Sequence, residues 1–375
     1  MDTFAFIIHP IDSKRDISRK YPFLGRIAND WMIYHLSPYF PPVYLSEVEG
    51  ITSESNGKQI KGWLIACPLS PQHFKGLSEK RVYRKIIETG RLAEQLGAQI
   101  LGLGAFTSVV GDAGLTISRA LDIPVTTGDS YTIAVAVQAI QEAARLMDIQ
   151  TNSASAAVVG ATGAIGKVCA EILSTVVAEL LLVGLNLEAL ELSRKELIIR
   201  GATSEISIST NMEDLQRAQL ILTVTSSTGA VIEPQHISPG SIICDVARPR
   251  DVSAQVKACR EDVLVIDGGL VEVPGKVDFH FNFGLPPGKT FACMAETIAL
   301  ALEGRFEDYT IGKDISMDRV REITQLAKKH GFRLSGFRSF EQPVSEEAIE
   351  RVRQKRKALI PQRNDLYAVK QASKV

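Results

Sequence analysis

Two short stretches of this chain hold residue types at spacings that do chemistry. The first, Ala156-Ala-Val-Val-Gly-Ala-Thr-Gly-Ala-Ile-Gly166, is an apolar run entering a G-x-x-G-x-x-G turn. Gly160 permits a tight turn, Gly163 lets a backbone approach a pyrophosphate, and Gly166 allows close packing of helix on strand. Thr162, Ala164 and Ile165 fill the turn, and a helix starting at Ala164 aims its first N–H groups at phosphate oxygens. Plain turns also use glycine. Here a strand precedes the motif, a helix follows it, and a second strand, Leu180–Val183, comes about 20 residues after the turn, as a dinucleotide-binding β-α-β unit requires.

The residues after that second strand bear on the choice of dinucleotide. An acid there would take the ribose hydroxyls of NAD. The sequence reads Gly184-Leu185-Asn186, with no acid, which favours NADPH over NADH. It also lacks the arginine that would hold a 2′-phosphate. Asn186, Arg194 or Lys195 can take that place, or the last two are an exposed helix face. Thr225, Ser226 and Ser227 follow the strand Leu220–Val224, at the edge where doubly wound sheets bind ligands; ordinary turn chemistry is the other reading.

The second stretch is Leu285-Pro-Pro-Gly-Lys-Thr-Phe-Ala-Cys-Met-Ala-Glu296. The prolines and Gly288 bar helix, so a helix starts after them, with Thr290 as N-cap and Cys293 in the first turn. Unpaired N–H groups and the positive end of the helix dipole favour thiolate there and can hold an oxyanion. Lys289 and His280 can add positive charge. The expected thiol is a nucleophile of lowered pKa; the alternative is a small core residue. Cys169 and Cys244 read as core, Cys259 lies on a polar helical stretch, and Cys67 is the other candidate. No cluster suggests a metal site.

Two loops of small and hydroxyl residues complete the set. Gly102-Leu-Gly-Ala-Phe-Thr-Ser-Val-Val-Gly-Asp112 offers Phe106, Thr107 and Ser108. Thr126-Thr-Gly-Asp-Ser-Tyr-Thr132 offers Thr127, Gly128 and Tyr131. They are helix caps or a substrate wall.

These pieces need a scaffold, and the chain is long enough for one. It has 375 residues, 45% hydrophobic and 23% charged, with a net charge of -1. That rules out wholesale disorder and gives no support to nucleic-acid binding. Five scattered cysteines make no disulfide framework and fit a reducing compartment. No apolar run approaches the ~20 residues of a spanning helix, and Met1 to His9 reads as a strand and not as a signal peptide, so a cytoplasmic protein without stable membrane insertion is expected.

Strands are expected at Phe4–Ile8, Trp63–Ala66, Ile100–Leu103, Ala156–Val159, Leu180–Val183, Glu205–Ile208, Leu220–Val224, Ser241–Asp245 and Val263–Ile266, alternating with helices. The fold class is α/β: a doubly wound Rossmann domain, an N-terminal α/β domain and C-terminal helices packing across both. The boundaries are 1–150 for the N-terminal substrate domain, 151–270 for the Rossmann domain, 271–335 for the cysteine loop and helices, and 336–375 for a basic extension. Residues 351–375 carry +7 against -8 for the rest. They read as a solvated terminus or as a dock for an acidic partner.

Five segments resemble the long-chain acyl-[acyl-carrier-protein] reductases of the cyanobacterial, fatty-aldehyde-forming type: Leu103-Gly-Ala-Phe-Thr-Ser-Val-Val110, Thr126 to Thr132, Gly160 to Gly166, Phe291-Ala-Cys-Met-Ala-Glu296 and Lys329-His-Gly-Phe332. They come in the family's order. The resemblance implies NADPH-dependent reduction of a fatty acyl thioester to an aldehyde, with the catalytic cysteine at Cys293 and an acyl-enzyme intermediate. It implies acyl carrier protein or acyl-CoA as donor, and an aldehyde-consuming enzyme as a possible partner. Leu185 departs from the family pattern, residues 1 to about 95 match poorly, and the tail is an extension.

Two other readings stand beside it. Ala218 to Thr225 and Asp245-Val-Ala-Arg-Pro-Arg-Asp251 are similar to shikimate, amino-acid and glutamyl-tRNA reductase domains, which suggests a shikimate-type dehydrogenase without covalent catalysis. A nucleotide-sensing binding protein with no enzymatic activity is the third.

Overall fold

A computed structural model describes residues 1–23 and 29–358, which form two units. One comprises Met1–Val135 and Gly269–Ser335, the other Ala136–Gly268 and the residues from Gly336. The first division falls within the helix Asp129–Leu146, ahead of the polar segment 148–155 where the sequence suggested a boundary.

The first unit is built on a six-stranded sheet in the order Gly275–Asp278, Val43–Thr52, Gln59–Ala66, Asp2–Ile8, Leu101–Leu103, Val125–Thr126. Asp2–Ile8 runs parallel to both neighbours, with Phe4 opposite Gly62 and Phe6 opposite Gly102. Its side chains alternate between two cores, as a strand buried on both faces must. Phe4 and Phe6 join Leu64, Met294, Ala295 and Ile298 on one side. Ala5 and Ile7 join Trp63, Ile65, Val82 and Ile86 on the other. The helix Glu79–Gln95 covers the second face and Ala292–Glu303 the first. A Cβ at Gly102 would lie 2.1 Å from Thr297 Oγ1 and 2.4 Å from the Phe6 ring, so the bare glycine lets the helix that carries Cys293 seat closely on the strand.

Helix Met317–His330 also belongs to this unit, where Ile323 and Ala327 join the cluster around Ile298. A small antiparallel sheet, Lys289–Phe291, Leu270–Glu272 and Arg333–Leu334, leads the chain into Ala292–Glu303. The hairpin strand Val43–Thr52 is one the sequence did not suggest. Its register shifts between Tyr44 and Ser46 and between Val48 and Ile51, and these irregularities break the period-2 alternation.

The second unit holds six parallel strands in the order Glu205–Ser209, Glu179–Val183, Ser155–Val159, Leu220–Thr223, Ile242–Asp245, Leu264–Asp267. Counted along the chain that is 3-2-1-4-5-6, the doubly wound Rossmann order. Each strand expected from the sequence is present within a few residues. Residues 346–358 are helical and belong to this unit. Their cations are engaged: Arg351 and Lys355 approach Glu261, and Arg353 and Lys357 approach Asp148. Residues 359–375 of the basic tail lie outside the described part. No described helix is long and apolar enough to cross a membrane.

Candidate functional site

In the Rossmann unit, the three glycines have different jobs. Gly160 has φ +84°, a conformation that excludes side chains, and a Cβ there would meet Val224 O at 2.7 Å. A Cβ at Gly166 would meet Gly160 O at 2.1 Å, so the first helical turn presses on the glycine turn itself. Gly163 is the N-cap of Ala164–Leu173 with no side-chain cap, and an added Cβ would meet Gly160 O alone, at 3.3 Å. Bare backbone in front of an uncapped helix N-terminus fits a dinucleotide pyrophosphate. Thr162 is in the same turn.

The other expected cofactor residues are more constrained than their sequence suggests. Asn186 caps the helix Leu187–Ile199, its Oδ1 accepting from Ala189 N at 2.9 Å. Arg194 is paired with Glu191 at 2.7 Å. Leu185, between strand and cap, is 97% exposed. Thr225 is held by Asp251, which accepts from its amide at 2.9 Å and from its hydroxyl at 2.5 Å, and from Thr223 Oγ1 at 2.6 Å. Ser227 N donates to Thr225 Oγ1, Ser227 Oγ donates to Gly229 O, and Ser226 is exposed. Asp251 thus fixes the turn after the fourth strand, a role that sequence reading left unassigned.

In the first unit, Cys293 is the second residue of Ala292–Glu303 and half-buried. Thr290 is not the N-cap: it sits in the strand Lys289–Phe291, and its hydroxyl lies 3.1 Å from Met294 Sδ. Phe291 takes the cap position and supplies no side-chain bond. The Thr-Thr-Gly loop packs against this turn. Gly128, at φ +78°, comes so close that a Cβ would lie 2.3 Å from Cys293 Cα.

Two buried acids accompany the thiol. Glu296, one turn along the same helix, is fully buried. It accepts hydrogen bonds from Thr126 Oγ1 at 2.5 Å, Tyr131 N at 2.8 Å and Thr310 Oγ1 at 2.8 Å. Asp129 follows Gly128 and is 6% exposed. Burial first, and Glu296 second, push its pKa up to about 7, while the Thr127 hydroxyl pulls the other way. Burial likewise raises Glu296. The expected lowering of the Cys293 pKa is not what the structure gives. Burial, with the charge of Asp129 next in weight, pushes the thiol up to about 12, outweighing the N–H groups of Met294 and Cys293. The expected cations are occupied elsewhere: Lys289 faces Glu272 at 3.4 Å, and His280 faces Asp278 and Glu49.

The other thiols sort cleanly. Cys67, Cys169 and Cys244 are fully buried, and burial drives the first two up to about 12. Cys259 is exposed at the end of a short helix. In the other loop, Thr107 and Ser108 donate to the carbonyls of Gly104 and Ala105, and Phe106 N donates to His9 Nε2 at 3.1 Å. The Phe106 ring stacks on Phe74, 5.7 Å between centroids. Of the residues proposed for a substrate wall, Gly128 packs on Cys293. Tyr131 is tied to the same helix through Glu296. The acids were left unassigned although Asp129 lies in the Thr-Thr-Gly loop and Glu296 in the cysteine segment, because their burial is a property of the assembled fold.

Comparison with known proteins places these features in context. Residues 141–267 match the shikimate/quinate 5-dehydrogenase family model. The chain is 29% identical over 346 residues to a long-chain acyl-[acyl-carrier-protein] reductase of Synechococcus elongatus, covering 88% of this chain and 98% of that protein. It is 32% identical over 363 residues to the aminotransferase PigE of a Serratia species, covering 92% of this chain. It spans only 41% of the length of that relative. Among solved structures, the L-tryptophan dehydrogenase of Nostoc punctiforme aligns over 94% of this chain and 87% of its own, at 12% identity and a TM-score of 0.41. The sequence matches, with the glycine turn and the parallel sheet, support an oxidoreductase with a nicotinamide cofactor. Along most of its length the chain is similar to a long-chain acyl-[acyl-carrier-protein] reductase, with a domain of the shikimate/quinate 5-dehydrogenase type at its centre.

Proposed function

We propose that the protein reduces long-chain fatty acyl thioesters, carried by acyl carrier protein or CoA, to fatty aldehydes with NADPH, through an acyl-enzyme on Cys293. One observation carries this reading: Cys293 stands in the first turn of a helix without a side-chain cap, with the Thr-Thr-Gly loop packed against it. Its sulfur forms a bond to the thioester carbonyl carbon, and the carrier's C–S bond breaks. The carrier thiol leaves with the proton that Cys293 gave up. The nicotinamide, when bound, supplies hydride to the acyl carbon. The bond to Cys293 then breaks, the aldehyde leaves, and the cysteine thiolate recovers a proton.

The chain's other residues divide between binding and positioning. Gly160, Thr162, Gly163, Ala164, Ile165 and Gly166 would hold the pyrophosphate, with Thr225, Ser226 and Ser227 beside it. Asn186 and Arg194, which follow the second strand, would serve the ribose position, and the absence of an acid at Leu185 favours NADPH. Phe106, Thr107, Ser108, Thr127, Gly128 and Tyr131 would form the substrate wall. A cytoplasmic location and an aldehyde-consuming partner follow from the same reading.

The shikimate/quinate match ends at residue 267 and includes no part of the cysteine helix. It therefore speaks for the cofactor domain and not for the substrate. Incubation with a long-chain acyl-CoA without NADPH, followed by mass spectrometry, tests the proposal. An acyl adduct on Cys293 is expected, and Cys293→Ala should abolish thioester reduction while still binding NADPH. Retained turnover in that variant would overturn the mechanism.

A further inference from the structure

Burial raises the Cys293 thiol, so attack on a thioester at neutral pH calls for a group that takes its proton. The cations named from the sequence are engaged elsewhere, so the acceptor must come from the groups packed around the first turn. Two carboxyls are there, Asp129 and Glu296, and they are placed differently. Glu296 is saturated, with Thr126, Tyr131 and Thr310 all donating to it, and Thr310 Oγ1 also lies 2.8 Å from Ser130 Oγ. That network ties residues 126–131 to the cysteine helix. Asp129, buried within the tied segment, directly follows the glycine that touches Cys293.

We propose that Asp129 exchanges the proton of Cys293 during acyl transfer, and that Glu296 is the positioning residue that holds the Asp129 segment against the cysteine helix. This rests on the thioester reading above. As sulfur attacks, the thiol proton passes to the Asp129 carboxylate while the S–C bond forms. As the carrier's C–S bond breaks, the protonated Asp129 gives that proton to the departing thiolate. After aldehyde release, Asp129 takes a proton from solvent and returns it to Cys293. One proton is consumed per turnover, as reduction of a thioester to an aldehyde and a thiol requires.

The groups facing this pair are consistent with the role. Helix Ala292–Glu303 contributes Cys293 and Glu296, helix Met317–His330 contributes Arg319 toward Glu296, and the ring of Tyr309 stands close enough to feel the Glu296 charge. Two carboxyls in one buried site do not both ionise readily, so the saturated one keeps a proton on its neighbour into the neutral range.

The test reads Cys293 alone, without substrate or cofactor. Iodoacetamide labelling of the full chain is followed from pH 5 to 10, and the Cys293 peptide is quantified by mass spectrometry. The wild type should show a rise with a midpoint near pH 7 and then a plateau. Asp129→Asn should lose that inflection and label roughly 10- to 100-fold more slowly at pH 7.5. Glu296→Gln should keep the inflection but move it to lower pH, because the neighbouring like charge is gone. A wild-type profile that only climbs above pH 9 would overturn the proposal, as would a folded Asp129→Asn protein with the wild-type profile. If Asp129→Asn fails to fold, the wild-type and Glu296→Gln profiles still decide. Thioester reduction by Cys293→Ala would sink the underlying mechanism instead, and labelling does not depend on that result.

Discussion

Gly128 and Cys293 meet backbone to backbone: a methyl group on Gly128 would lie 2.3 Å from the Cys293 Cα and 2.5 Å from its Cβ. With φ at +78°, the glycine has two reasons to be bare, its own conformation and its neighbour. Gly128→Ala should therefore push the loop off the cysteine helix. Thioester turnover should fall by at least tenfold, with a stability loss of about 1–3 kcal/mol by urea denaturation. NADPH affinity, measured by fluorescence titration, should change less than twofold.

The glycine turn of the Rossmann unit allows the reverse separation. A side chain at Gly166 collides with Gly160 O, backbone against backbone, and neither atom can swing aside. Gly166→Ala should weaken NADPH binding by tenfold or more. Labelling of Cys293 by an acyl-CoA in the absence of NADPH should continue at the wild-type rate. Equal losses in both assays would contradict the division of labour.

Cofactor choice can be shifted at Leu185. Its side chain is nearly free of contacts at the end of the second Rossmann strand, so substitution there has little structural cost. Leu185→Asp would present a carboxylate where NAD enzymes hold the ribose hydroxyls and would repel a 2′-phosphate. The ratio of kcat/KM for NADPH over NADH should drop by about tenfold. Leu185→Arg should raise it.

The buried Asp129 also makes stability depend on pH. Its carboxyl titrates near 3.8 when unfolded and at about 7 when folded, so the folded state retains a proton that the unfolded state has released. Stability from this group therefore falls as pH rises from about 4 to 7 and is level above. At about 1.4 kcal/mol per unit, the change is up to roughly 4 kcal/mol. Urea denaturation of wild type and Asp129→Asn across this range should show the wild type losing stability relative to the variant as pH rises. A constant difference between them would count against the assignment.

Local signals proved legible in this sequence and non-local ones did not. The strands of both sheets that are dense in Val, Ile and Leu were readable from composition, as was the helix that starts at Ala164. The glycine turn was readable because its spacing is local: Gly163 and Gly166 both answer to Gly160, although Gly160 itself meets the distant Val224. Thr290 looked like a cap because the sequence does not show that residues 270–272 pair with 289–291 and draw it into a strand. The Cys293 acidity was misjudged for the same reason. The helix amides are local and favour thiolate, but the opposing burial comes from the assembled fold and the Asp129 charge from 164 residues away.

The helix Ala292–Glu303 begins with no side-chain cap on its first amides, and Cys293 stands among them. Under the acyl-enzyme reading, the carbonyl oxygen of an acyl group on that sulfur would come within reach of these open N–H groups. The substrate would then complete the helix: a turn without a cap of its own would acquire one only while Cys293 is acylated.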